Sequence, residues 1–162
     1  MLRSILLVIV SVIITAFFAT SVVIYALLGA AENSLHKVAR TWARVLLAVS
    51  NVRVRVIGKE NLSEKKPYIF MSNHQSDFDI FIVLAHLPGQ FRWIAKKELF
   101  RIPVFGRAMK NAGYIEIDRQ HHQRALQSLA EAARKIREGK SLMSFPEGTR
   151  SKDGAVKPFK KG

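Results

Sequence analysis

The sequence predicts an α/β fold: a mostly parallel sheet covered by helices, preceded by a membrane-associated helical hairpin at the N-terminus. Three observations predict it. Ser4 to Ala31 carries no charged residue. Beyond residue 50, short apolar runs alternate with helical patterns, as in strand–helix–strand units. Three polar, residue-specific segments each follow one of the apolar runs, and loops leaving the carboxyl ends of parallel strands gather at one edge of such a sheet. With 162 residues the chain is long enough for one domain with a sizeable core. Its division falls near residue 50, into a membrane anchor with an amphipathic helix (1–50) and an α/β domain (51–162).

As a helix, the uncharged segment is roughly 40 Å long at ~1.5 Å per residue, against a hydrocarbon core of about 30 Å. It is too long for a usual cleaved signal, and only Arg3 and the amino terminus precede it. Lys37, Arg40 and Arg44 follow it, so the positive-inside rule keeps the bulk of the chain on the cytoplasmic face. Asn33 or Ser34 is the expected N-cap of a second helix. In it Leu35, Val38, Trp42, Val45, Leu46 and Val49 recur at three- and four-residue spacing. That stripe suits a bilayer interface, and equally a surface helix packed on the protein's own core.

Val52 to Gly58 alternates apolar and basic residues, a half-buried strand. Lys59 to Lys66 is a polar turn closed by Pro67. Residues 67–71 are a strand, and 79–87 a helix stopped by Pro88-Gly89. Residues 91–95 are a strand. Leu99 to Asn111 reads as one helix with Pro103 near its start and Gly113 past its end. Residues 114–117 are a strand. Gln120 to Glu138 is an amphipathic helix with Leu126, Leu129, Ala133 and Ile136 on one face. Residues 141–145 are the last strand.

The chain has no cysteine, which excludes disulfides and thiolate chemistry. Its formal charge is +14, from 26 basic and 12 acidic residues, and this field favours anionic partners. Nucleic acid is set aside, because no recognition-helix or aromatic pattern accompanies the charge. No group of residues has metal-ligand spacing, and His121 and His122 are assigned to the surface.

Between strand 67–71 and the next helix lies Asn73-His74-Gln75-Ser76-Asp77-Phe78-Asp79. His74 and Asp79 meet only if this turn folds back. They would then form a base and its orienter without a nucleophile beside them. The alternative is a polar turn that caps the following helix, in which Ser76 is a turn hydrogen-bonder and Asp77 exposed or capping. If the strands are parallel, Lys96, Lys97, Arg119 and Arg150 converge on the imidazole, and basic groups beside a His point to a phosphate-bearing ligand.

Three motifs stand in order and carry a resemblance. They are Asn73 to Asp79 with its His-x4-Asp spacing, Lys96-Lys97-Glu98-Leu99 with Pro103, Gly106, Gly113 and Ile117-Asp118-Arg119, and Phe145-Pro146-Glu147-Gly148-Thr149-Arg150-Ser151. The chain resembles the glycerolipid acyltransferase family, most of all its 1-acylglycerol-3-phosphate acyltransferases. The resemblance implies acyl transfer from acyl-CoA or acyl-carrier protein to the 2-hydroxyl of lysophosphatidic acid, without cofactor or metal. The lipid hydroxyl is then the nucleophile, His74 its general base and Asp79 the orienter. Lys96 or nearby N–H groups would stabilise the oxyanion. Glu147, Gly148, Thr149 and Arg150 correspond to the block that binds glycerol phosphate. Glu147 would orient Arg150 or a hydroxyl, and Arg119 is a second phosphate candidate. The family carries a fourth block after a run such as Phe159-Lys160-Lys161-Gly162, so the resemblance also implies an acyltransferase domain incomplete at its C-terminus. Other acceptors, such as glycerol 3-phosphate or another lysolipid, fit the same motifs, and so does an inactive membrane lipid-binding protein.

Overall fold

The computed structural model describes residues 2–63, 66–118, 120–151 and 153–159. Two helices come first, α1 (Leu2–Leu27) and α2 (Glu32–Val49). They are joined by a turn in which the Gly29 N–H bonds Ala26 O and the Ala30 N–H bonds Tyr25 O, satisfying the last carbonyls of α1. Then follow β1 (Ile69–Met71), α3 (Phe78–His86), β2 (Phe91–Lys96), α4 (Lys97–Phe100), α5 (Phe105–Asn111), β3 (Ile115–Ile117), α6 (His122–Arg137) and β4 (Ser141–Ser144). The four strands pair in the order β1-β4-β2-β3, all parallel. Ile69 lies opposite Leu142, Phe91 opposite Ser141 and Ile94 opposite Ile115.

Helices cover both faces of the sheet. On one, Ala43 and Leu47 of α2 and Leu84 and Ala85 of α3 pack on Phe91, Trp93 and Met143. On the other, Ala132 of α6 packs on Ile115 and Leu142. A third cluster joins Ala19 and Val22 of α1 to Leu35 of α2 and to Ala108 and Ala112 of α5. The amphipathic face of α2 is therefore spent largely on the protein's own core. Arg40 and Arg44 reach α3 and its end, where Arg40 donates to Gly89 O at 2.7 Å and Arg44 to Ala85 O at 3.5 Å. The opposite side of α1 is open: Ile5, Val8, Val12, Phe17, Ile24 and Leu27 are all at least half exposed.

Several expectations are corrected. Val52 to Gly58 joins no ladder. Val52 and Val54 do turn inward and pack on the core while Arg53 and Arg55 stay exposed, so the alternation is present in burial without strand pairing. The helix expected over 99–111 is broken into α4 and α5, because Pro103 has no N–H to continue the ladder and Val104 takes φ 61°. Neither Asn33 nor Ser34 caps α2. The helix starts after Ala31, and Asn33 Oδ1 instead accepts from the wholly buried Arg92 at 2.6 Å. On α6, Leu126 and Leu129 are exposed, and the inward face is made by Ala132, Lys135 and Ile136.

Two glycines are explained by close approach. A Cβ on Gly106 would stand 2.1 Å from Phe100 O, and one on Gly113 would stand 2.4 Å from the Glu32 carboxylate. Gly113 also has φ +75°, the left-handed region where a side chain is costly. Glu32 in turn joins Arg92 at 3.3 Å and Lys135 at 3.4 Å. This cluster ties the start of α2 to β2 and α6.

His36 lies wholly buried between Phe91 and Tyr114, with Nδ1 3.0 Å from the Tyr114 hydroxyl. Burial, with Arg92 and Arg40 adding, pushes its pKa down to about 3.

Two outcomes follow from this packing. Gly106→Ala should lose about 1–3 kcal/mol of stability, the usual cost of forcing an atom into a filled space, seen as a lower melting temperature; an unchanged value would contradict the packing. The unfolded His36 takes a proton near its ordinary pKa of 6.5 while the folded one stays neutral to about 3. Its contribution is thus full above pH 6.5 and is lost as pH falls from there towards 3, with a slope of at most about 1.4 kcal/mol per pH unit. His36→Phe should flatten the fall in melting temperature between pH 7 and pH 4; an equal slope in both proteins would show His36 charged in the fold.

Candidate active site

Because the strands are parallel, the segments leaving β1, β2, β3 and β4 open on one edge of the sheet. Since β1 and β4 are neighbours, the segments 72–79 and 145–151 lie side by side and are stitched together. The Ser151 N–H donates to His74 O at 2.8 Å, and the His74 N–H donates to Glu147 Oε1 at 3.0 Å.

The turn after β1 folds back. His74 Nδ1 is 3.0 Å from Asp79 Oδ2, and the same oxygen accepts the N–H groups of Gln75 at 2.7 Å and Ser76 at 2.9 Å. Asp79 is thus orienter and turn organiser at once. Its partial burial would raise its pKa, but the two N–H groups and His74 together hold it below the usual carboxylate value. Phe145, one residue past β4, stacks on the imidazole with centroids 4.0 Å apart and planes 7° apart. One face of the ring is therefore covered and Nδ1 is occupied. Among the described residues Nε2 has no hydrogen-bond partner. Ser76 Oγ accepts from the Phe78 N–H at 3.2 Å, a turn role.

Glu147 is 2% exposed. Its second oxygen accepts the Lys157 N–H at 3.1 Å, so both oxygens hold backbone and neither reaches Arg150. Arg150 is exposed and pairs with the exposed Asp77, while its carbonyl accepts from Lys157 Nζ at 3.0 Å. Gly148 (φ +71°), Thr149 and Arg150 all line the cavity described below. Lys96, the last residue of β2, is exposed and lines the same cavity. Lys97 points elsewhere: it is buried and pairs with Asp118 at 2.8 Å, and its hydrogen bond is the main reason the Asp118 pKa is lowered to about 2. Arg119 and the side chain of His122 lie outside the described residues. His121 is exposed, 4.0 Å from Asp118.

From His74 an apolar cavity of about 640 Å³ runs inward between the sheet and the N-terminal hairpin. Its walls include Phe81 of α3, Trp93 of β2, Met109 of α5 and Trp42 of α2, and it reaches Phe18 and Val22 of α1. Trp42 is pinned by a 3.1 Å bond from its indole N–H to Thr15 Oγ1. The sequence alone does not reveal this cavity, because its walls come from helices distant in the chain. Nor does it reveal the backbone role of Glu147, for which the one signal is a carboxylate directly after a buried strand.

An imidazole held by a carboxylate, an apolar cavity beside it and cationic groups at the rim make up the site, and the chain belongs to the acyltransferase family: residues 53–162 match its Acyltransferase domain. Within that family it is similar to 1-acyl-sn-glycerol-3-phosphate acyltransferases. It is 38% identical over 128 residues to a chloroplastic one of Brassica napus, covering 78% of this chain and 37% of that protein. It is 39% identical over 127 residues to that of Saccharomyces cerevisiae, covering 76% and 42%. The chain thus spans about two fifths of the length of these relatives. The crystal structure of the 1-acyl-sn-glycerophosphate acyltransferase PlsC of Thermotoga maritima superposes with a TM-score of 0.78 at 28% identity, over 99% of this chain and 67% of that one.

Removing the Glu147 carboxylate should loosen the whole edge. Glu147→Ala leaves two partly buried N–H groups without partners, at about 1–3 kcal/mol each. A fall in melting temperature of several degrees is expected, with Glu147→Gln milder because one acceptor oxygen remains. A fully stable Glu147→Ala protein would contradict the stitching role.

Proposed function

We propose that the chain transfers a fatty acyl group from a thioester donor, acyl-CoA or acyl-carrier protein, to the 2-hydroxyl of 1-acylglycerol 3-phosphate, giving phosphatidic acid. The observation that carries the reading is the place of His74: its ring is held by Asp79 and Phe145 at the polar end of a large apolar cavity. The names of the relatives point to the same acceptor.

In this reaction the acceptor hydroxyl attacks the thioester carbonyl carbon while His74 Nε2 takes its proton. The resulting imidazolium is stabilised by Asp79, which also keeps the ring in the tautomer with the Nδ1 proton facing the carboxylate. Collapse of the tetrahedral intermediate re-forms the carbonyl, breaks the carbon–sulfur bond and releases the thiol, which receives the proton from His74. No enzyme nucleophile is required, in keeping with a chain that has no cysteine. Lys96, at the cavity rim, is the cationic candidate for the oxyanion. Arg150, with Gly148 and Thr149 beside it, would take the phosphate, exchanging Asp77 for a ligand that accepts two parallel hydrogen bonds. Arg119 is a second phosphate ligand in this scheme. The acyl chain occupies the apolar cavity, and the enzyme works at the membrane with its catalytic domain on the cytoplasmic face.

The test uses the full chain in membranes, with labelled acyl-CoA or acyl-carrier protein and lysophosphatidic acid. His74→Ala should lower turnover roughly 10²- to 10⁴-fold, the usual contribution of a positioned base, with Asp79→Asn also impaired and both proteins folded. Equal turnover by His74→Ala and wild type would sink the mechanism. Wild-type inactivity with lysophosphatidic acid but activity with glycerol 3-phosphate or another lysolipid would move the acceptor, and inactivity with all of them would favour a lipid-binding role.

A further inference from the structure

We propose that the turn Arg101-Ile102-Pro103-Val104, between α4 and α5, is a second membrane contact, inserting its apolar tip into the leaflet that holds α1 and forming the lipid-facing rim of the cavity. The inference rests on α1 lying in a bilayer, and not on the identity of the acceptor.

The turn is built to project apolar side chains outward. Ile102 is 47% exposed and Val104 46%, and Pro103 between them is exposed as well. Val104 holds φ 61° and ψ −54°, and the Phe105 N–H closes a three-residue turn on Pro103 O at 2.6 Å. A β-branched residue is costly in this region of backbone space. The conformation is imposed from behind by Gly106, which sits against the backbone of Phe100 and donates to Ile102 O at 2.8 Å.

The depth of the turn follows from α1. The uncharged stretch continues to Ala31, and Phe17, Ile24, Tyr25, Leu27 and Leu28 are half exposed or more, so lipid must reach the second half of the helix as well as the first. It is that second half that packs on α5, through Ala19 and Val22 against Ala108 and Ala112. Phe105 opens α5 and lines the cavity with Thr15 and Phe18, and its ring is 6.0 Å from that of Trp42, whose indole bonds Thr15. The tip just before Phe105 is therefore level with the middle of α1. A water-exposed apolar tip at that level would be unusual; one continuous with the apolar face of α1 has lipid to cover it. The charges agree. From Leu99 to Ile115 there is no acidic residue, and Arg101, Arg107 and Lys110 are all exposed. Long cationic side chains can lay their stems along the apolar layer and hold their heads among anionic lipid phosphates. Ile102 also lines the cavity, so a membrane-seated turn lets an acyl chain pass between bilayer and cavity without crossing water.

The absence of cysteine makes a clean experiment available. Single cysteines at Ile102→Cys and Val104→Cys, labelled with an environment-sensitive fluorophore, are compared in the full chain. The vesicles are phosphatidylcholine and phosphatidylglycerol, with and without nitroxide-labelled acyl chains. Leu6→Cys in α1 and Glu131→Cys on α6 are the lipid and water references. Blue-shifted emission and nitroxide quenching at 102 and 104, comparable with position 6, are expected, with position 131 unaffected. Either label suffices if the other destabilises the fold. Emission at 102 and 104 matching position 131 would overturn the proposal. So would protection from aqueous iodide without nitroxide quenching, which would mark a contact with a second copy. A water-like signal at position 6 would overturn it through its premise, while leaving the acyl-transfer assay free to succeed or fail separately.

Discussion

Glu147 commits both carboxylate oxygens to backbone, to the His74 N–H at 3.0 Å and the Lys157 N–H at 3.1 Å. Taking a carboxylate out of water is costly unless such bonds replace its hydration, and charge-assisted bonds to N–H groups are among the stronger ones a protein makes. The carboxylate thereby fixes the backbone of His74 and the return of the chain at 157. This is possible only because β1 and β4 are parallel neighbours, so that the residue three after one strand and the residue three after the other end up within a hydrogen bond of each other. The imidazole is then constrained on three sides, by its own backbone, by Asp79 at Nδ1 and by Phe145 on one face. What freedom remains is at Nε2, the atom to which the proposed mechanism assigns the proton transfer.

The second constraint is that the hairpin has two duties. α1 leaves one apolar side exposed and turns the other inward to α5 and the cavity. The inner contacts use small residues, Ala19, Ala108 and Ala112, which let the helices approach closely. The cluster of Glu32 with Arg92 and Lys135 sets where the hairpin meets the sheet. Because Arg92 is wholly buried, its partners cannot be given up lightly: removing one partner of a buried charge costs far more than the pair contributes. The cavity wall is thereby held to the same frame as the base.

What could be read in the sequence was what local chemistry determines. The strands at 69–71, 91–96, 115–117 and 141–144 lie within or close to their apolar runs, and Gly113 follows the end of its helix, its N–H bonding Lys110 O and that of Tyr114 bonding Met109 O. The turn around His74 was legible because its polar residues satisfy one another within a few positions. The sequence misleads where a distant partner decides. Asn33 has the chemistry of a cap, but Arg92, 59 positions away, uses its side chain. Val52 to Gly58 has the alternation of a strand without a neighbouring edge to pair with. Lys97 stands in the same motif as Lys96, yet is withdrawn into a pair with Asp118. A spacing pattern cannot separate two adjacent lysines; the strand's alternation sends them to opposite sides, and the start of α4 completes the difference.

The placement of the polar and apolar halves of the site also bears on the proposed role of His74 as a base. The proposed reaction joins a long apolar chain to a doubly charged headgroup, so its reacting atoms would sit where the two environments meet. Here that boundary is a few residues wide: Phe145, Trp93 and Phe81 face the cavity, while Arg150, Asp77 and Lys96 stand at its rim. In that reaction the apolar lining would keep water from the thioester, disfavouring its hydrolysis, and charges would act in a lower effective dielectric. On the rim side, solvent and cationic groups would accept the phosphate without full desolvation. His74, 14% exposed at its side chain, belongs to both. A base deeper in the cavity would be hard to charge during the reaction, and one further out would activate water as readily as the lipid hydroxyl. The position of the imidazole is thus as much a part of its chemistry as its hydrogen bond to Asp79.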